Sequence, residues 1–183
     1  MKIVTRRAVL AGGATLAALL PARKPLAARL PDISILMKLE TPPTEAPDIE
    51  FQAADGSAHR LSAFRGRGLV INFWATWCAP CVAEMPALEA LSKALAPHDI
   101  AVLPLSSDRG GPDVVATWYR ANGILALPVL MDAKGQAARA MQTRGIPTTV
   151  IVSRSGLLCA RLEGAADWGS DKAIALLRRL VEI

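Results

Sequence analysis

Phe73-Trp74-Ala75-Thr76-Trp77-Cys78-Ala79-Pro80-Cys81-Val82-Ala83 is the stretch from which the rest of the chain can be placed. The apolar run Leu69 to Phe73 reads as a buried strand. It breaks at a Trp-rich turn, and two cysteines three apart open a helix. The spacing sets Cys78 at the helix N-terminus, where unpaired backbone N–H groups and the helix dipole favour a thiolate over a thiol. Cys81 follows one turn later on the same face, close enough to attack a mixed disulfide formed on Cys78. The competing reading is half of a zinc site, which requires a second Cys/His pair. The remaining candidates, Cys159, His59 and His98, supply no CxxC or HxxxH. The pair therefore reads as a redox dithiol, with no metal and no cofactor expected.

At 183 residues the chain has room for one domain with a sizeable core plus a terminal extension. Its net charge of +5 invites a nucleic-acid reading. The distribution argues against one: six of the 21 Lys+Arg precede residue 30 and none of the 16 acids does, leaving 15 − 16 = −1 from Leu30 onward. The basic excess belongs to the leader, and the folded part carries no electrostatic footprint for nucleic acid.

That leader is informative. Met1 to Arg7 is a short basic region, and Ala8 to Leu20 carries no charge. The uncharged run is short for a transmembrane helix and right for the apolar core of a signal peptide. Thr5-Arg6-Arg7-Ala8-Val9-Leu10 resembles a twin-arginine export signal, with the general secretory route as the alternative. No strict Ala-x-Ala cleavage site occurs; Pro21-Ala22 and Leu26-Ala27-Ala28 come nearest. Residues 1–29 thus read as a signal peptide or an uncleaved N-terminal anchor. The domain is expected in the periplasm, where disulfide chemistry is live.

Residues 30–47 hold Pro31, Pro42, Pro43 and Pro47 with little periodicity and read as a linker, leaving 48–183 as the domain. Ile49 to Gln52 and Ala58 to Leu61, split by Asp55-Gly56, predict a hairpin. Val82, Met85, Leu88, Leu91 and Leu95 recur at helical spacing from Cys78 to about Ala96, with Pro86 expected to kink that helix. Ile100 to Ser106 reads as a second buried strand. A helix over Asp113 to Ala121 follows, closed by Asn122-Gly123. A short strand is predicted over Leu127 to Met131 and a short helix over Ala137 to Gln142. Thr148 to Ser153 and Leu157 to Leu162 form a hairpin, and a last helix starts at an N-cap on Ser170. The fold class is α/β, with a mixed sheet flanked by helices on both faces. Cys159, left over from the pair, reads as a small buried hydrophobe.

Taken together, the chain resembles the thioredoxin-fold proteins, and more narrowly the exported TlpA/ResA-type disulfide reductases. The motif Val70-Ile71-Asn72-Phe73-Trp74-Ala75-Thr76-Trp77-Cys78-Ala79-Pro80-Cys81, with Glu84 and Pro86 after it, carries most of the resemblance. Gly145-Ile146-Pro147-Thr148-Thr149 is similar to the family's cis-proline loop. Asp132-Ala133-Lys134-Gly135 and the N-terminal hairpin match the family's additions to a plain thioredoxin.

The resemblance implies roles. Cys78 is expected as the exposed nucleophile and Cys81 as the buried resolving thiol. Pro80 presets the first helical turn. Glu84 stands where related proteins carry an acid, able to raise thiol pKa values and to relay a proton to or from Cys81. The alternative for Glu84 is an ordinary solvated helix residue. Asn72 replaces the buried Asp of ordinary thioredoxins. Pro147, if cis, leaves the Ile146 backbone free to pair with an extended substrate. Trp77 shields the active-site rim, Trp74 fits either site or core, and Trp118 and Trp168 are read as packing.

By resemblance the protein is a monomeric reductant of selected protein disulfides. Its clients are apocytochrome c or copper-assembly proteins, and its electrons come from a membrane dithiol carrier of the CcdA or DsbD type. The alternative within the same chemistry is an oxidant, since Ala79-Pro80 does not decide direction. A thioredoxin-fold peroxidase requires Thr/Ser-x-x-Cys, whereas Thr76 is two before Cys78. A Sco-like copper chaperone requires CxxxC and a distal His.

Overall fold

The computed structural model describes residues 30–183, so the readings of the leader, residues 1–29, lie outside the described residues. The chain runs α1 (Ile33–Leu36), β1 (Met37–Glu45), β2 (Glu50–Ala53), β3 (Ala58–Arg60), a 3₁₀ turn (Leu61–Phe64), β4 (Gly68–Trp74), α2 (Ala79–Leu95), β5 (Ile100–Ser106), α3 (Pro112–Asn122), β6 (Leu130–Met131), α4 (Gln136–Ala140), β7 (Thr148–Val152), β8 (Leu157–Glu163) and α5 (Asp171–Leu180). The strands form one mixed sheet in the order β1-β8-β7-β4-β5-β6-β2-β3. β4, β5 and β6 are parallel neighbours, and β7 pairs antiparallel with β4.

Because β4, β5 and β6 advance one way across the sheet, their connecting helices α2 and α3 fall on the same face. All seven residues of β4 are buried, and its alternating side chains feed two cores. Val70 and Trp74 join Met85, Leu88, Val115, Tyr119 and Leu177 on the α2, α3 and α5 face. Ile71 and Phe73 join Leu61, Ala137 and Met141 on the other. Each fully buried leucine of α2 contributes about 1.5–3 kcal/mol, which holds the helix in place through Pro86 despite the missing backbone donor. Trp74 stacks on Tyr119 at 5.6 Å and meets Trp118 edge-on at 5.4 Å, so Trp74 is a core residue and Trp118 a half-buried one packed against it. Gly68 opens β4 where the end of α5 closes on it; a Cβ there would lie 2.6 Å from Val181 Cβ.

Two expectations are corrected. Residues 30–47 are not a linker: Ile33 is buried, and Met37–Glu45 is an edge strand paired with β8. Its ladder is interrupted between Leu39 and Thr44, where Pro42 and Pro43 sit. An edge strand has only one neighbour, so prolines are tolerated there and the apolar alternation that marks a strand is weak. The strand predicted over Leu127 to Met131 shrinks to Leu130–Met131. The N–H groups of Leu125, Ala126 and Leu127 go instead to the Glu89 carboxylate on α2, at 2.9–3.2 Å.

Candidate active site

The cysteine pair lies in the loop and first turn beyond the C-terminal end of β4, at the carboxyl ends of the parallel strands, where open α/β folds place their sites. Cys78 is the N-cap of α2: its N–H donates to Ala75 O at 3.2 Å, and its C=O accepts the first helical bond from Val82 N at 3.0 Å. Cys78 and Cys81 are joined as a disulfide, with Cα atoms 5.2 Å apart. The Cys81 N–H points at Cys78 Sγ, 3.3 Å away. In the reduced pair that same N–H and the helix terminus favour a thiolate on Cys78. Cys78 is 7% exposed and Cys81 is fully buried, so the nucleophile expected to be exposed is a nearly buried residue in the disulfide form, and still the more accessible of the two. Pro80 occupies the first turn, and Trp77 stands out beside the pair, 69% exposed.

Behind the pair, Glu84 is fully buried and is not the solvated residue of the alternative reading. It lies three positions after Cys81, on the same side of the helix. Its Oε1 accepts from Asn72 Nδ2 at 2.9 Å, and its Oε2 accepts from Ala166 N at 3.0 Å and Trp168 Nε1 at 2.8 Å. Burial pushes the Glu84 carboxyl up from its ordinary range, against the pull of the bonds from Trp168, Ala166 and Asn72. Trp168 is therefore a hydrogen-bond donor as well as packing. Asn72 also donates to Thr149 Oγ1 at 2.9 Å, tying β4 to β7 where the two residues stand opposite each other.

β7 begins at the proline loop. The Ile146–Pro147 peptide is cis, as the resemblance implied. Phe73 pairs with Thr148, which sets Pro147 beside the end of β4, just before the cysteine loop. Pro147 O accepts from Gly164 N at 2.9 Å, and Thr148 Oγ1 donates to Gly145 O at 2.7 Å. These bonds fix the loop on either side of Ile146.

Asp108 completes the site and was missed in the sequence. Its carboxylate, 3% exposed, accepts from Thr76 N at 2.9 Å, Thr76 Oγ1 at 2.7 Å and Ser106 Oγ at 2.7 Å. It thereby clamps the cysteine loop to the end of β5. The available signal was Ser106-x-Asp108 at the end of a strand parallel to β4, since parallel neighbours end side by side.

The AhpC/TSA family profile matches residues 42–161. The chain belongs to the AhpC/TSA family. Among curated relatives, the thiol-disulfide oxidoreductase ResA of Geobacillus kaustophilus is 32% identical over 111 residues, 61% of this chain and 63% of that protein. The chain thus spans less than two thirds of that relative. The pneumococcal exposed lipoprotein thioredoxin of Streptococcus pneumoniae superposes with a TM-score of 0.61 at 28% identity, covering 74% of this chain and 99% of that one. A secreted thiol-disulfide isomerase from Corynebacterium glutamicum gives a TM-score of 0.68 at 20% identity, over 93% and 100% of the two chains, and shares the fold. The architecture is the thioredoxin fold with an N-terminal hairpin, as expected from the sequence.

Proposed function

We propose that this protein is an exported thiol–disulfide oxidoreductase working as a reductant of protein disulfides. The observation that carries the reading is a disulfide at the N-terminus of α2 with only Cys78 accessible, beside a cis-proline loop. In the reduced enzyme the Cys78 thiolate attacks one sulfur of a client disulfide. A Cys78–client bond forms, and the other client sulfur leaves as a thiolate and takes up a proton. Cys81, deprotonated, then attacks Cys78 Sγ, the mixed disulfide breaks, and the second client thiol departs. The client gains two electrons and two protons, and the enzyme is left with Cys78–Cys81.

Glu84 is the group proposed to take the Cys81 proton, since it lies buried one turn after Cys81 and burial makes its carboxylate a stronger base than an ordinary one. Ile146, flanked by anchored residues, offers its backbone to an extended client segment. The resemblance to TlpA/ResA proteins supports apocytochrome c or copper-assembly proteins as clients, and a CcdA- or DsbD-type membrane carrier as the electron source. The leader supports a periplasmic location.

The family name also covers peroxidases. Against that reading, the Thr76 hydroxyl is committed to Asp108 and does not serve a thiolate. His59 stacks on Phe51 in the hairpin and His98 precedes the start of β5, away from the strand ends that carry the cysteines, which weighs against a copper chaperone.

The test is trapping in cells. Cys81→Ser is expected to accumulate client proteins bound covalently through Cys78, and Cys78→Ser to accumulate none. An absence of adducts with Cys81→Ser would overturn the reductase reading. The reduction potential of the pair sets direction: a value near roughly −270 mV fits a reductant, and one near roughly −120 mV fits an oxidant.

A further inference from the structure

Beside the cysteine loop, between the segments that follow β5 and β6, runs a groove lined by Trp77, Ser107, Asp108, Arg109, Lys134 and Arg139. Arg109, Lys134 and Arg139 are exposed, and among the described residues none of them has a carboxylate partner. Arg60, Arg65, Arg67, Lys93, Arg154 and Arg161 are ion-paired, while the other unpaired cations of the described residues, Lys38, Arg120, Arg144, Lys172, Arg178 and Arg179, do not line this groove. Asp108, the one acid that lines the groove, and Asp132, just before Lys134, face inward. Asp108 is spent on Thr76 and Ser106, and the buried Asp132 accepts from the N–H groups of Ala137 and Ala138. From Leu30 onward the chain carries 15 − 16 = −1, so three cations without an opposing surface carboxylate in one groove are not a consequence of a basic bulk composition.

We propose that this groove selects clients, taking an extended acidic segment that flanks the disulfide to be reduced. The inference rests on the oxidoreductase reading above and names its substrate class. Trp77 supplies an exposed apolar face next to Cys78, and the three cations line the same groove from the segments after β5 and β6 and from the last turn of α4. A chain laid along the groove keeps its cysteine at the Trp77 end and its carboxylates over the cations. Unpaired, solvent-facing cations contribute chiefly to encounter rate and orientation, so the preference belongs in kcat/KM and weakens with salt.

The experiment uses the full-length reduced protein and three disulfide-containing peptides that share a core and differ only in flanks rich in Glu, Ser or Lys. At low ionic strength the Glu-flanked peptide is expected to show a kcat/KM roughly tenfold above the Lys-flanked one, with the gap closing in high salt. The triple variant Arg109→Glu, Lys134→Glu, Arg139→Glu is expected to invert the order. The salt dependence of the unaltered protein decides the matter even if that variant folds poorly. Brisk exchange that ignores flank charge overturns the groove and leaves the oxidoreductase reading intact. No exchange with any peptide overturns both. Oxidised glutathione reduced as fast as the Glu-flanked peptide would overturn the extended-segment assignment, because a small anion would then suffice.

Discussion

Trp168 donates its indole N–H to Glu84 Oε2 at 2.8 Å, joining residues 84 positions apart at the back of the cysteine helix. The bond favours the charged carboxylate, so its loss moves the Glu84 pKa further up. Trp168→Phe keeps a ring in the core and removes the donor. A destabilisation of about 1–3 kcal/mol is expected, larger at pH 8 than at pH 5 because the carboxylate is left short of a donor only when it is ionised. Urea unfolding at the two pH values measures it, and an equal loss at both would mean that only packing had changed.

Glu84→Gln tests the same carboxyl from the other side. Burial raises its pKa above the ordinary 4.5, so the folded protein holds that proton more tightly than the unfolded chain does. The resulting stability is fully present below about pH 4.5 and is lost as pH rises through the folded value. The neutral amide has no such dependence. The stability of Glu84→Gln relative to the unaltered protein is therefore expected to improve as pH rises above about 4.5 and to level off once the folded carboxyl is ionised, in parallel urea titrations. A gap that stays constant would show that the carboxyl is not held above its ordinary range. The same variant is expected to flatten the pH dependence of thiol–disulfide exchange.

What was legible in the sequence divides along physical lines. The central strands and α2 announced themselves because they are buried on both faces or along one stripe, and burial writes periodicity into sequence. Cys78, Cys81, Pro80 and Pro147 were legible because their spacing and neighbours are local. β1 was not, since an edge strand with Pro42 and Pro43 buries too little to alternate. Asp108 and Trp168 were missed for a different reason: each acts through a partner 32 or 84 positions away, on an element whose placement only the sheet order supplies. Glu84 stood between the two cases. Its position was local, but its burial depends on the turn that brings Ala166 and Trp168 over it.

Asp108→Ala is expected to loosen the loop ahead of Cys78. Three donors lose a shared charged acceptor, one of them the buried Ser106 hydroxyl, at a cost of about 2–3 kcal/mol. The specific signature is local: the Thr76 amide should lose protection in hydrogen exchange while amides in the middle of β4 keep theirs until the protein unfolds globally. Unchanged protection at Thr76 would show that the loop is held by Cys78 N–H to Ala75 O and the helix start alone. Asp108→Asn, which retains an acceptor, is expected to fall between the two.

Cys159 offers a test of the core that is independent of the site. It is 1% exposed in β8, and burial pushes its thiol pKa up, so both access and thiolate content suppress its reactivity. In the reduced protein a thiol reagent is therefore expected to reach the Cys78–Cys81 pair rapidly through Cys78. Cys159 should react only at the rate at which β8 opens, and at once when denaturant is added. Cys159→Ala removes a small apolar group from a packed strand and is expected to cost about 1 kcal/mol. Cys159→Ser places a hydroxyl in the same space and is expected to cost more, because a buried polar group is disfavoured unless fully hydrogen-bonded. Three thiols titrating together in the native protein would mean that β8 opens freely, and the edge pairing of β1 with β8 would then be too weak to count as part of the folded core.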